Sequence, residues 1–253
     1  MRLRQIALAS RNLDGLQTQL EHVLGLKVAY RDPGVGHYGL RNIVMPLGQS
    51  FLEIVEPIQE GTSAGRFIDR MGGSAGYMVI LQGPDAPAAS AMAVEHGARE
   101  VDRIDRRDYF AVHFHPASFG GVLVSFDQQR STPDPYEPFG DWMPAGPDWR
   151  EAITPQVTQL LSVDIATAEP LGLAERWAEL MGQSISAADP SVLTLDMGAI
   201  RFRATQGSRT TVSCLELAVV DPAAMLERAR QAGLPVQDNG FDLGGVRFEL
   251  VTE

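Results

Sequence analysis

The chain has little that would serve a nucleic acid, a bilayer or an oxidising compartment. Among its 253 residues there is one cysteine, Cys214, so no internal disulfide can form and no CxxC pair offers thiolates to a metal. Basic residues are outnumbered, 21 against 32 acidic, which gives a formal net charge of −11. A duplex backbone would be repelled by that balance. No basic run suits an anionic membrane surface, and no apolar stretch reaches the roughly 20 residues that a spanning helix needs. The opening MRLRQIALAS carries two arginines but lacks the apolar core and small-residue cleavage site of a signal peptide. The expectation is a cytoplasmic protein whose partner is a small molecule.

What is present is ordinary globular material: 44% apolar and 21% charged residues, enough chain for one large domain or two of common size. The pattern repeats. LRQIALAS reads as a strand and NLDGLQTQLEHVLG as a helix, with Asn12 or Asp14 at its start and Gly25 at its end. LKVAYRD, HYGLRNIVMPLG and SFLEIVEP read as further strands. After MGGSAG the order recurs: YMVILQG, a helix from Asp85 to Gly97, then REVDRID, YFAVHFHP and GGVLVSFD. The second half repeats it with more drift, ending in a helix capped by Asp221 with Pro222 at its first position, then LPVQD and GGVRFELVTE. A strand, a helix and two or three strands thus return about four times, at intervals of roughly 50–70 residues. A proline-rich stretch, residues 129–154, separates residues 1–128 from 155–253; its Trp142 and Trp149 predict that it packs down rather than floats.

The repeat resembles the βαβββ module of the vicinal oxygen chelate superfamily, which includes glyoxalase I, methylmalonyl-CoA epimerase, extradiol dioxygenases and the bleomycin- and fosfomycin-resistance proteins. The stretches that carry the likeness are MRLRQIALAS with NLDGLQTQLEHVLGLKV, similar to the opening of glyoxalase-type modules, and HPASFGGVLVSFD and GGVRFELVTE, similar to the closing strand. The resemblance implies an α+β fold of four modules paired into two cup-shaped domains, the C-terminal pair being shorter and degenerate. A homodimer is compatible with it. It also implies a glyoxalase-type lyase or isomerase acting on a small carbonyl compound in the N-terminal cup, or else a binder that sequesters its ligand without chemistry.

Inside the strand FLEIVEP, Glu53 stands between apolar neighbours, and an unpaired charge in a dry core is costly. Alternation groups Gln5, Glu53, Tyr77, His113 and His115 on the cup side. The resemblance places metal ligands on the first and last strands of each module, which here are Gln5 and Glu53. In the second module Tyr77 stands where histidine is usual, and Val124 or Ser125 where glutamate is usual. In the second pair, Ser162 and Ser213 fall at histidine positions and only Glu249 fits. His113 and His115 point to one side of a strand and could complete a site with Gln5 and Glu53 for one divalent ion, zinc, nickel, manganese or iron; incidental HxH spacing is the commoner case. Without a metal, Glu53 could take a proton next to a carbonyl while Tyr77 or His113 steadies the developing oxyanion. His37, Arg41, Arg66 and His115 are candidate substrate contacts near the rim. The plain alternative for Glu53 is pairing with Arg41, Arg66 or Tyr77.

Overall fold

A computed structural model describes residues 1–207 and 209–252. The first repeat is β1 (Arg2–Ala9), α1 (Leu13–Leu24), β2 (Leu40–Leu47) and β3 (Ser50–Pro57), followed by α2 (Ser63–Met71). The second is β4 (Ala75–Gln82), α3 (Ala86–Glu95), β5 (Glu100–Asp105), β6 (Tyr109–Phe114) and β7 (Leu123–Gln129). The third is β8 (Val157–Thr167), α4 (Pro170–Met181), β9 (Val192–Thr194) and β10 (Ala199–Ala204). The fourth is β11 (Thr211–Val219), α5 (Pro222–Gln231), β12 (Val236–Gln237), β13 (Gly240–Leu243) and β14 (Val246–Thr252). No helix among the described residues is long and apolar enough to cross a membrane.

Local chemistry explains where the helices begin. Asn12, Asp85 and Asp221 each accept a hydrogen bond from the backbone N–H three residues on, satisfying a donor that the first turn leaves open. Two stretches differ from the pattern read in the sequence. LKVAYRD is not a regular strand: its one bridge to β2 among the described residues is Tyr30–Val44, and Asp32 then caps a 3-10 turn over Pro33–Tyr38. Pro33 has no N–H for a ladder, which ends extension there. The stretch around GRFIDRM, not assigned to an element from the sequence, is the helix α2, capped by Thr62 and stopped by left-handed Gly72. Its Phe67 and Ile68 are buried with Ala9, Leu40 and Val55.

The fold forms two compact units, each drawn from three stretches of chain. One holds Gln5–Tyr77, Trp142–Leu161 and Ser213–Glu253. In it β1 runs parallel to β3, and β3 antiparallel to β2. β11 runs parallel to β14, which pairs antiparallel with β13. Helices α1 and α5 pack together, and Arg228 Nε donates to the Val23 carbonyl at 3.0 Å. Gly48, at the β2–β3 turn with φ +63°, lies so close to residue 158 that a Cβ would sit 1.9 Å from the Thr158 oxygen.

The other unit holds Met1–Arg4, Met78–Asp141 and Ser162–Val212. There β4 is parallel to β7, followed by antiparallel β6 and β5, while β8 is parallel to β10. Its core is aromatic: Phe119 lies 5.1 Å from Trp177 and 6.0 Å from Phe126, ring centre to ring centre, and the Trp177 indole donates to the Phe119 carbonyl at 3.2 Å. The proline-rich stretch is divided between the units after Asp141, and Trp142 and Trp149 are both fully buried.

Candidate functional site

Glu53 sits at the centre of β3, opposite Ala7 of β1 and Val44 of β2, and is 7% exposed. Two amides meet its carboxylate. Gln5 Nε2 donates to Oε2 at 2.9 Å and Asn42 Nδ2 donates to Oε1 at 2.7 Å. Neither amide is free to turn over. The indole N–H of Trp142, which can only donate, reaches Gln5 Oε1 at 2.8 Å, so Gln5 must point its NH₂ at Glu53. The backbone N–H of Asp32 donates to Asn42 Oδ1 at 2.8 Å and fixes the second amide in the same sense.

Phe51, two residues before Glu53 on the same strand face, stacks on Trp142 at 6.4 Å and meets Trp149 edge-on at 4.9 Å. Aromatic packing therefore holds the indole that holds Gln5. Burial pushes the Glu53 carboxyl above its ordinary range. The bonds from Asn42 and then Gln5 oppose the shift, and nearby Asp32 adds to it. Tyr77, tilted against Phe67 at 5.0 Å, is likewise raised by burial and then by the charge of Glu53, so its phenol keeps its proton.

Other candidates lie elsewhere. Arg41 is exposed and bridges Asp14 at 2.9 Å and Glu56, while Arg66 bonds the Gly61 carbonyl and Ser63 at the start of α2. Glu53 is thus held by amides and not by either arginine. His37 is exposed on the Pro33–Tyr38 turn, its ring 5.3 Å from that of Tyr38. In the other unit His113 faces Asp102 across β5–β6, with Nδ1 3.7 Å from the carboxylate. Burial lowers its proton affinity and Asp102 partly restores it. His115 lies beyond the end of β6, where its Nδ1 accepts from the Ala117 N–H at 3.2 Å and caps the Pro116–Phe119 turn. Next to His113 in register, buried Ser125 donates to Asp127, which also accepts from the Tyr109 hydroxyl.

The donor set around Glu53 does not suit a metal ion. Each carboxylate oxygen faces an amide N–H, and the Gln5 oxygen that would be a ligand is already engaged by Trp142. Among the described residues no three His, Cys, Asp or Glu side chains gather to hold an ion. Asn42 and Trp142 are the members of this network whose bonds the sequence did not reveal. Trp142 lies 137 residues from its partner Gln5, outside every repeat.

Repeated strand–helix–strand modules in an α+β chain, with a buried polar residue on the first and last strands, define a protein of the vicinal oxygen chelate superfamily. More particularly, the chain belongs to the glyoxalase-like domain family, whose model matches residues 6–181. It is 25% identical over 131 residues to the ethylmalonyl-CoA/methylmalonyl-CoA epimerase of Cereibacter sphaeroides, a match covering 50% of this chain and 97% of that one. A triply substituted 4-hydroxymandelate synthase from Streptomyces coelicolor shares the fold with a TM-score of 0.66 at 15% identity, over 92% of this chain and 75% of its own. The methylmalonyl-CoA epimerase of Mycobacterium tuberculosis superposes with a TM-score of 0.46 at 19% identity, over 51% of this chain and 87% of that one.

Proposed function

We propose that the chain is a glyoxalase-type isomerase or lyase that moves a proton next to the carbonyl of a small substrate, with Glu53 as the base. The observation that carries this reading is a buried carboxylate held by two amides that cannot reverse. Such a group is fixed in place, has two lone-pair positions left over, and has its proton affinity raised by burial. Removing a proton α to a carbonyl puts negative charge on the carbonyl oxygen. Tyr77, a protonated phenol within the electrostatic reach of Glu53, is the donor suited to that oxygen. The epimerase relative acts, by its name, on acyl-CoA thioesters, and a thioester α-proton falls within the class that such a base can take.

A metal would add Lewis-acid polarisation of the substrate oxygen, but the amide hydrogens facing Glu53 argue for chemistry carried by the side chains. Because both Glu53 oxygens already accept amide hydrogens, a second reading stands beside this one, a non-catalytic binder of a small carbonyl compound. We also propose residues 1–128 and 155–253 as successive duplicated pairs joined by 129–154, in a cytoplasmic protein.

The test is solvent exchange. A panel of thioesters, 2-oxo acids and hydroxyketones is incubated with the protein in D₂O and followed by proton NMR. Loss of an α-proton signal with the wild type, absent with a folded Glu53→Gln variant, supports the isomerase. Exchange that survives in that variant removes Glu53 from the role. Saturable binding without exchange favours the binder.

A further inference from the structure

The unit that lacks Glu53 carries a cleft of about 450 Å³, within the size range of small-ligand sites. It is lined by Arg99, His115, Ala117, Ser118, Leu173 and Arg176. We propose that it binds the phosphate group of a small phosphorylated molecule.

His115 and Ser118 each have an acceptor occupied by a backbone N–H, which leaves each a donor to offer, and the two arginines can only donate. His115 Nδ1 accepts the Ala117 N–H at 3.2 Å, so in the neutral ring the proton sits on Nε2. Ser118 Oγ accepts the Arg99 backbone N–H at 2.9 Å, leaving its hydroxyl hydrogen to donate. No carboxylate among the described residues pairs with the Arg99 guanidinium. Arg176 spends one nitrogen on Glu179, at 2.8 Å, and keeps the rest of its fork. The other Glu179 oxygen lies 3.1 Å from His96 Nδ1, so that carboxylate is shared between two partners.

The backbone makes this arrangement firm. The His115 N–H donates to the Arg99 carbonyl at 2.7 Å, tying the two sides of the cleft together. Gly120, with φ +71°, lets α4 come close, since a Cβ there would sit 2.4 Å from Leu173 Cδ1. That approach brings Arg176 to the rim. Two guanidinium groups, an imidazole N–H and a hydroxyl suit a tetrahedral dianion better than a planar carboxylate. Leu173 and Ala117 offer apolar surface to whatever the phosphate is attached to. In a chain of net charge −11, this is a local inversion of sign.

The full-length protein is titrated calorimetrically with inorganic phosphate and with phenyl phosphate. Both are expected to bind the wild type, phenyl phosphate several-fold more tightly. Arg99→Gln/Arg176→Gln should weaken both by at least about tenfold, roughly one charge-assisted contact per arginine. Ser118→Ala should weaken them by a smaller factor, and Arg230→Gln, on a helix of the other unit, should change neither. Equal affinity for the two ligands supports the site with free phosphate as its natural occupant. No binding at on the order of 10 mM, where surface arginines alone would begin to associate with the anion, overturns the proposal. So does a folded double variant, judged by circular dichroism, that binds as the wild type does.

Discussion

Glu53→Gln is close to isosteric, yet the network around it predicts a penalty with a definite sign. The replacement amide has one oxygen and one NH₂, whereas the site offers a donor on both sides. Whichever way the new side chain turns, its NH₂ meets that of Gln5 or Asn42. Neither neighbour can reverse without breaking its bond to Trp142 or to the Asp32 backbone. One amide–carboxylate bond is lost, about 1.5–3 kcal/mol for a bond to a charged group. Relief from burying a charge offsets part of it, leaving an expected loss of about 1–2 kcal/mol near neutral pH.

The pH dependence follows from the raised proton affinity of Glu53. The folded state holds this proton more tightly than the unfolded chain. The associated stability is therefore fully present below the ordinary carboxyl value and is lost as pH rises through the folded one. The gap between wild type and variant should be widest in acid and narrow as pH rises. Urea unfolding followed by far-UV circular dichroism measures it. A double-mutant cycle probes the cause. With Trp142→Phe the Gln5 amide can turn its oxygen to the new NH₂, so Trp142→Phe should cost about 0.5–1.5 kcal/mol less in the Glu53→Gln background than alone. Additivity within about 0.5 kcal/mol, the usual value for uncoupled sites, would refute the pinned-amide account.

Two further outcomes are expected. Gly48→Ala forces a Cβ against the Thr158 oxygen at a left-handed φ, and should cost about 2–5 kcal/mol by thermal unfolding, the sum of the conformational and overpacking penalties. A change within 0.5 kcal/mol would mean that this turn relaxes freely. Tyr77→Phe keeps the ring packed on Phe67 and removes the phenol hydrogen. On any substrate found by deuterium exchange it should lower kcat by about 10²–10³-fold, the range for a single oxyanion donor, with KM little changed; an unchanged kcat would exclude Tyr77 as that donor.

Much of the fold was legible because its signals are local. Asn12, Asp85 and Asp221 start helices through bonds to residues three positions away, and a repeated strand–helix order shows in one dimension. Helix α2 was harder to see. Gly65 inside it weakens the helical signal, and its burial depends on Leu40 and Val55, which are distant in sequence. LKVAYRD has the composition of a strand, but Asp32–Pro33 diverts the chain. Glu53 announced itself as a carboxylate flanked on both sides by apolar residues. What holds it did not, because the Gln5–Trp142 bond spans 137 positions and joins a repeat to a stretch that repeats nowhere. His113 and His115 looked equivalent by spacing, yet β6 ends between them and His115 caps a turn.

The placement of Trp142 bears on how such a chain can be copied and cut. Duplicating a module transmits its strands and its carboxylate but not the indole that orients them, so a daughter module inherits the scaffold without the polarity of the site. The same dependence sets a limit on dissection. A fragment ending at residue 128 would contain Gln5, Asn42 and Glu53 and still lack the donor that decides which end of the Gln5 amide meets the carboxylate. An autonomous version of this site must extend through Trp142 and Trp149, the two rings that close on Phe51.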